Sequence, residues 1–162
     1  MFTLPPPEGE CPEGSTTENP IVLAGVSTTD FDRFLSILYP LNFNANEINT
    51  IEEWSSVLHL ASQWDFSSLR QLAIDNLAIL IMSPIDRIVI GQAYHIPEWL
   101  VPAYTELCMR DDPLTLDEGK KLGMEDVITI GQLRQEVRYR SNLNRYHETI
   151  KELVRDTFVV RM

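Results

Sequence analysis

The chain has 162 residues, 44% of them hydrophobic and 23% charged, which is enough apolar material to bury the core of one ordinary domain or two small ones. Its formal net charge of -11 makes nucleic acid an unfavoured partner for most of its surface. No run approaches the ~20 apolar residues needed to span a bilayer, and the start Met1-Phe2-Thr3-Leu4-Pro5 lacks the basic and apolar parts of a signal peptide, so an intracellular protein, cytoplasmic or nuclear, is expected.

Residues 1–20 hold five of the ten prolines, Gly9, Gly14 and four glutamates, and so have little to bury. A flexible arm or loop is expected there. Ile21-Val22-Leu23 follows as a short β-branched run between Pro20 and Gly25 and reads as a strand, although no second convincing strand exists to pair with it. Ser27 with Asp30 three positions later marks a capped helix whose stripe is Phe31, Phe34, Leu35 and Leu38, ended by Tyr39-Pro40. After an Asn-rich connection, residues 50–82 give the strongest pattern in the chain. Thr50 and Glu53 form a capping box ahead of the stripe Ile51, Trp54, Leu58 and Ala61, widened by Val57, Leu60 and Trp64. The period breaks at Trp64-Asp65-Phe66 and resumes with Leu69, Leu72, Ala73, Leu77 and Leu80, which predicts a helical hairpin.

Downstream, Ser83-Pro84 with Asp86 starts a helix carrying Ile85, Ile88, Val89 and Ala93, and Pro97 starts another carrying Leu100, Ala103, Tyr104, Leu107 and Cys108. Thr115 with Glu118 caps a short helix ending near Gly123. A last pattern runs from about Met124 through Val127, Ile128, Ile130, Leu133 and Val137, loosens near Ser141-Asn142, and continues sparsely at Tyr146, Ile150 and Leu153. The expected fold is mainly α, with one short strand.

The order of these elements carries a family signature. The run Ile21-Val22-Leu23 with Gly25-Val26-Ser27, then Phe31, Phe34-Leu35, Leu38-Tyr39-Pro40, and then Trp54, Val57-Leu58, Leu60, Ala61, Trp64, Phe66 and residues 69–73, resembles the C-terminal half of a BTB/POZ domain, with the large fungal set as the nearest likeness. The stretch from Ile96 through Tyr104 is similar to the helical extension of that set. The likeness covers Met1 to about Val137. It implies an N-terminally shortened BTB/POZ domain over residues 21–82, a helical extension over 83–140 and a helical tail over 141–162, behind the arm of residues 1–20.

The resemblance implies dimerisation or recruitment of a protein partner, and in some members attachment to cullin ubiquitin ligases. Two departures bear on this. The hydrophobic-x-Glu motif of cullin-binding members has only Cys11-Pro12-Glu13 to stand for it, and the family's dimer contacts draw on elements that would precede Met1. Neither cullin binding nor the family's usual homodimer is therefore expected. An unpaired edge at residues 21–23 would instead invite pairing with another chain or aggregation.

No reactive constellation stands out. His59, His95 and His147 lie on separate segments without a second metal-type ligand at helical spacing. Cys11 and Cys108 are too few and too scattered for a disulfide framework or a zinc site. Glu52-Glu53 and Asp111-Asp112 are adjacent in sequence, which turns their carboxylates apart, and capping and solvation explain them. There is no phosphate-binding glycine loop or nucleophile elbow. No catalytic, cofactor-binding or metal-binding residue is assigned. Trp54 and Trp64 belong to the core stripe, and Trp99, one position before Leu100, is the candidate partner contact.

The expected function is a non-enzymatic protein-interaction module, an adaptor or oligomerisation unit. An alternative from another class follows from the charge distribution. From Arg134 onward seven Lys/Arg face four Asp/Glu, against six and 20 before it. A helical nucleic-acid-associated protein would use Arg134, Arg138, Arg140, Arg145, Lys151 and Arg155. Their interleaving with Glu136, Glu148, Glu152 and Asp156 fits an ordinary solvated helix better.

Overall fold

A computed structural model describes residues 13–40, 48–139 and 146–158. The expectations for residues 1–12, Cys11 among them, for most of the Asn-rich connection, and for Ser141-Asn142, Arg140 and Arg145 lie outside these.

The protein is mainly α. In chain order its helices are α1 (Thr28–Leu38), α2 (Ile51–Gln63), α3 (Ser67–Ile79), α4 (Pro84–Ala93), α5 (Pro97–Met109), α6 (Leu116–Leu122), α7 (Met124–Tyr139) and α8 (His147–Phe158). Each N-terminus read from the sequence is built as its chemistry requires. The Ser27 hydroxyl accepts from the Asp30 N–H, and the Ser83 hydroxyl from that of Asp86, with Pro84 filling the first turn where no N–H is needed. Thr50 with Glu53 and Thr115 with Glu118 form reciprocal capping boxes.

One expected element is absent. Residues 21–23 form no strand, and among the described residues there is no sheet, only a single bridge between Thr16 and Asn19. The physical reason is the missing partner, because a strand satisfies its backbone only through a neighbour. Here the Val22 N–H donates instead to the Glu13 carboxylate at 3.0 Å, and Ile21 lies over Gly14, so close that a Cβ there would sit 2.6 Å from Ile21 Cγ1.

Two core clusters organise the helices. The first gathers Phe34, Trp54, Leu58, Leu60, Ala73 and Leu77 from α1, α2 and α3, with Trp64 set edge-to-face against Phe31 and Phe34. The second gathers Ile88, Tyr104, Leu107, Ile130, Leu133 and Val154 from α4, α5, α7 and α8. Ile96, between α4 and α5, is buried in the first cluster.

The hairpins α2–α3 and α4–α5 repeat one design thirty residues apart. In each, the N–H of the residue opening the second helix reaches back to a carbonyl in the last turn of the first, Phe66 to Ala61 and Ile96 to Gly91, both at 2.8 Å. This is the six-to-one bond of a Schellman turn, whose penultimate residue must be left-handed. Asp65 (φ 58°) and His95 (φ 53°) occupy that position without being glycine. Asp and His tolerate it better than most side chains do.

Candidate interaction surface

The α2–α3 hairpin buries one side of α3 well and leaves the other bare. Ala73, Ile74 and Leu77 face α2, whereas Leu72, expected in the buried stripe, is 41% exposed, Ile79 81% and, just beyond the helix, Ile81 97%. Leu72 and Ile79 are seven residues apart and so share one face, with Asn76 between them. The periodicity of the second stripe therefore overstates its burial, because α2, which packs on α3, covers only one side of it.

Trp99 is partly buried at the start of α5 and packs against the first core cluster beside Tyr94 and Ile90. Nearby, the two left-handed turns line an open hollow of about 330 Å³ with Ala61, Ser62, Asp65, Ser67, Arg70, Ala93, Tyr94 and His95. Arg70 clamps the turns together by donating from Nη2 to the Tyr94 carbonyl at 2.7 Å. His59 is exposed and touches Tyr94 edge-on, His95 fills its turn, and His147 lies 3.7 Å from Glu148. Among the described residues no three His, Cys, Asp or Glu side chains are grouped to hold a metal ion, and no helix is long and apolar enough to cross a membrane. Cys108 is buried on α5, and burial pushes its thiol up to about 12.

The cations of the chain's end are disposed differently from one another. Arg134 is buried, and its guanidinium donates from Nη1 to the Leu107 carbonyl at 2.9 Å and from Nη2 to that of Asp111 at 3.1 Å. Arg138 adds a bond to the Asp111 carbonyl at 2.8 Å. Both arginines thus serve the C-terminus of α5, where helical carbonyls lack partners. Lys151 lies 3.9 Å from Glu148, and Arg155 is exposed. The alternation of charge that suggested a solvated face hid this role, because Arg134 shares the buried side of α7 with Ile130, Leu133 and Val137.

Arg110 and Glu118 form the most developed ion pair, with two parallel bonds of 2.8 Å and about a quarter of each side chain exposed. The Arg110 bonds first, and the Thr115 backbone N–H second, hold the Glu118 carboxyl down at about 2 against an ordinary 4.5. A carboxylate depressed by folding stabilises the folded state above its unfolded pKa, and the contribution is lost as acid carries the pH from 4.5 down through about 2. Glu118→Gln is therefore expected to cost about 1–2 kcal/mol at neutral pH, a value discounted for solvent screening. In urea titrations at a series of pH values the gap to the unaltered chain should close between pH 4.5 and 2. A gap independent of pH over that range would remove the ion pair as its cause.

Comparisons with family models, with curated proteins and with solved structures find no match for this chain.

Proposed function

We propose that the chain works inside the cell, in cytoplasm or nucleus, as a non-enzymatic protein-protein interaction module of the BTB/POZ kind, an adaptor or oligomerisation unit that engages its partner through the outer face of α3. The observation that carries this reading is the exposed apolar pair Leu72 and Ile79 on the outer face of α3, with Ile81 exposed just beyond the helix. Exposed apolar side chains that adjoin in one patch mark contact sites on protein surfaces. The likeness of residues 50–82 to the corresponding BTB/POZ segment supports the same reading.

Ile79→Asp with Ile81→Asp tests it. Both residues project into solvent, so circular dichroism and thermal stability should match the unaltered chain, with a change within about 0.5 kcal/mol. Quantitative affinity capture from cell extract should then show the partners of the unaltered chain lost by the double variant. An identical partner set for both chains overturns the assignment of this face.

A further inference from the structure

Helix α7 is covered on one side only. Thr129, Ile130, Leu133, Arg134 and Val137 are buried, whereas Met124, Ile128 and Tyr139 are each more than half exposed. With Gly131 and Gln135 these three follow one another at steps of three and four residues, and so form one stripe along the opposite face. The stripe carries no charge. Its borders do, and with opposite signs. At 3.6 residues per turn Arg138 stands on one border, held by its 2.8 Å bond to the Asp111 carbonyl, and Glu125 and Glu136 stand on the other.

Gly131 lies at the middle of this stripe, inside the helix, without the left-handed backbone that Gly14, Gly25 and Gly123 have. A Cβ built on it would meet nothing within 4 Å. Glycine in such a place weakens a helix relative to alanine, because it has more backbone freedom to lose. No contact within the chain requires that loss. What the missing side chain leaves is a shallow hollow of about 510 Å³, with Ile128, Gln135 and Tyr139 around it. A second helix can approach closely there, since the side chains at the contact set the distance between helix axes. We propose that the exposed face of α7 is a self-association surface, on which α7 of a second copy of this chain packs in parallel about a two-fold axis, with the two Gly131 residues at the point of closest approach.

Two observations favour a second copy. A chain of net charge -11 repels its own copies over most of its surface, and an uncharged stripe is where that repulsion is least. The borders then select the orientation. When identical helices pack face to face, a parallel pair brings opposite borders together and an antiparallel pair brings like borders together. Only the parallel pair sets Arg138 of each copy beside Glu136 of the other, about 3 Å apart in height along the axis. The face is therefore complementary to itself, so the contact is made twice and closes as a dimer.

Sedimentation equilibrium of the full chain tests the proposal. The unaltered chain should pass from monomer to dimer with a Kd in the tens of micromolar, as befits a contact of one helix face. A chain still monomeric at about 1 mM overturns the proposal. Gly131→Ala should move two measurements in opposite senses. At dilutions where the chain is monomeric, urea titration should show the folded-to-unfolded ratio raised about fivefold, while the dimer weakens about tenfold or more. An alanine variant that dimerises as tightly as the unaltered chain overturns the close approach at Gly131.

Gly131→Glu sets two like charges at the two-fold axis and should keep the chain monomeric throughout. Ile79→Asp with Ile81→Asp should leave the dimer intact. The reverse pattern, a dimer that survives Gly131→Glu and is lost with the two α3 substitutions, overturns the α7 face, so this inference and the proposed α3 contact fail separately. Gln135→Cys, in a chain that also carries Cys11→Ser, reports the orientation. Equivalent residues lie side by side in a parallel pair, so oxidation by air with a copper catalyst should join the two copies through a disulfide. A variant that dimerises and does not cross-link overturns the parallel arrangement.

Discussion

Arg134→Met is expected to destabilise the protein by about 2–4 kcal/mol, measured as a lower urea midpoint with an unchanged denaturant slope. The side chain it replaces is only 9% exposed, and burial is the first cause lowering its pKa. Its guanidinium bonds the Leu107 and Asp111 carbonyls, in the last turn of α5 and just beyond it. Methionine matches the aliphatic stem and fills the space, so the loss isolates the guanidinium. Two charge-assisted bonds disappear, at about 1.5–3 kcal/mol each before the gain from no longer burying a charge is set against them. Arg134→Lys should recover less than half, because one ammonium cannot present the fork that spans two carbonyls. A methionine variant as stable as the parent would show that water or Arg138 satisfies the α5 terminus unaided.

This residue also shows where sequence reasoning stops. Helix starts were legible because their chemistry is local: Ser27 with Asp30, Thr50 with Glu53, Ser83-Pro84 and Thr115 with Glu118 each cap within four residues, and each is built as read. The stripe of α2 was equally plain, since Trp54, Val57, Leu58, Leu60 and Ala61 are all buried. What depends on a distant segment was not legible. Arg134 finds its carbonyls more than twenty residues upstream, and the exposed side of α3 is set by which side α2 packs against. Residues 21–23 have the composition of a strand, but the ladder that would make them one requires a partner that local composition cannot supply.

The repeat escaped for a different reason. The two turns share backbone conformation rather than residues. Asp65 stands where His95 stands and Phe66 where Ile96 stands, while Ala61 and Gly91 need only be small, because a Cβ on Gly91 would lie 2.8 Å from Leu100 Cδ2. A constraint on φ and on volume leaves little trace in residue identity. Of the exposed side of α3, Leu72 was read as part of the buried stripe, whereas Ile79 and Ile81 stood in no stripe and carried no signal in the sequence.

The second large effect is expected at Tyr104. This side chain is fully buried where α4, α5, α7 and α8 meet. Its hydroxyl donates to Asp126 at 2.6 Å and accepts from Gln92 Nε2 at 2.9 Å, and its ring stacks on Phe158. Burial first, and the bond to Asp126 second, push the phenol far above its ordinary range, so it is a donor at neutral pH. Tyr104→Phe keeps the ring and removes only the hydroxyl. It should cost about 1.5–3 kcal/mol, the range for a bond to a charged acceptor. Tyr104→Ala removes the ring as well and should cost about 3–5 kcal/mol through the cavity it leaves. The two variants differ in what they do to α8. The phenylalanine variant keeps the stacking partner of Phe158, so α8 amides should retain their protection relative to α5. In the alanine variant Phe158 loses that partner, and protection of α8 should fall before that of α5 and α7. Equal loss across all three helices in the alanine variant would mean that the ring holds the cluster together as one unit and gives α8 no attachment of its own.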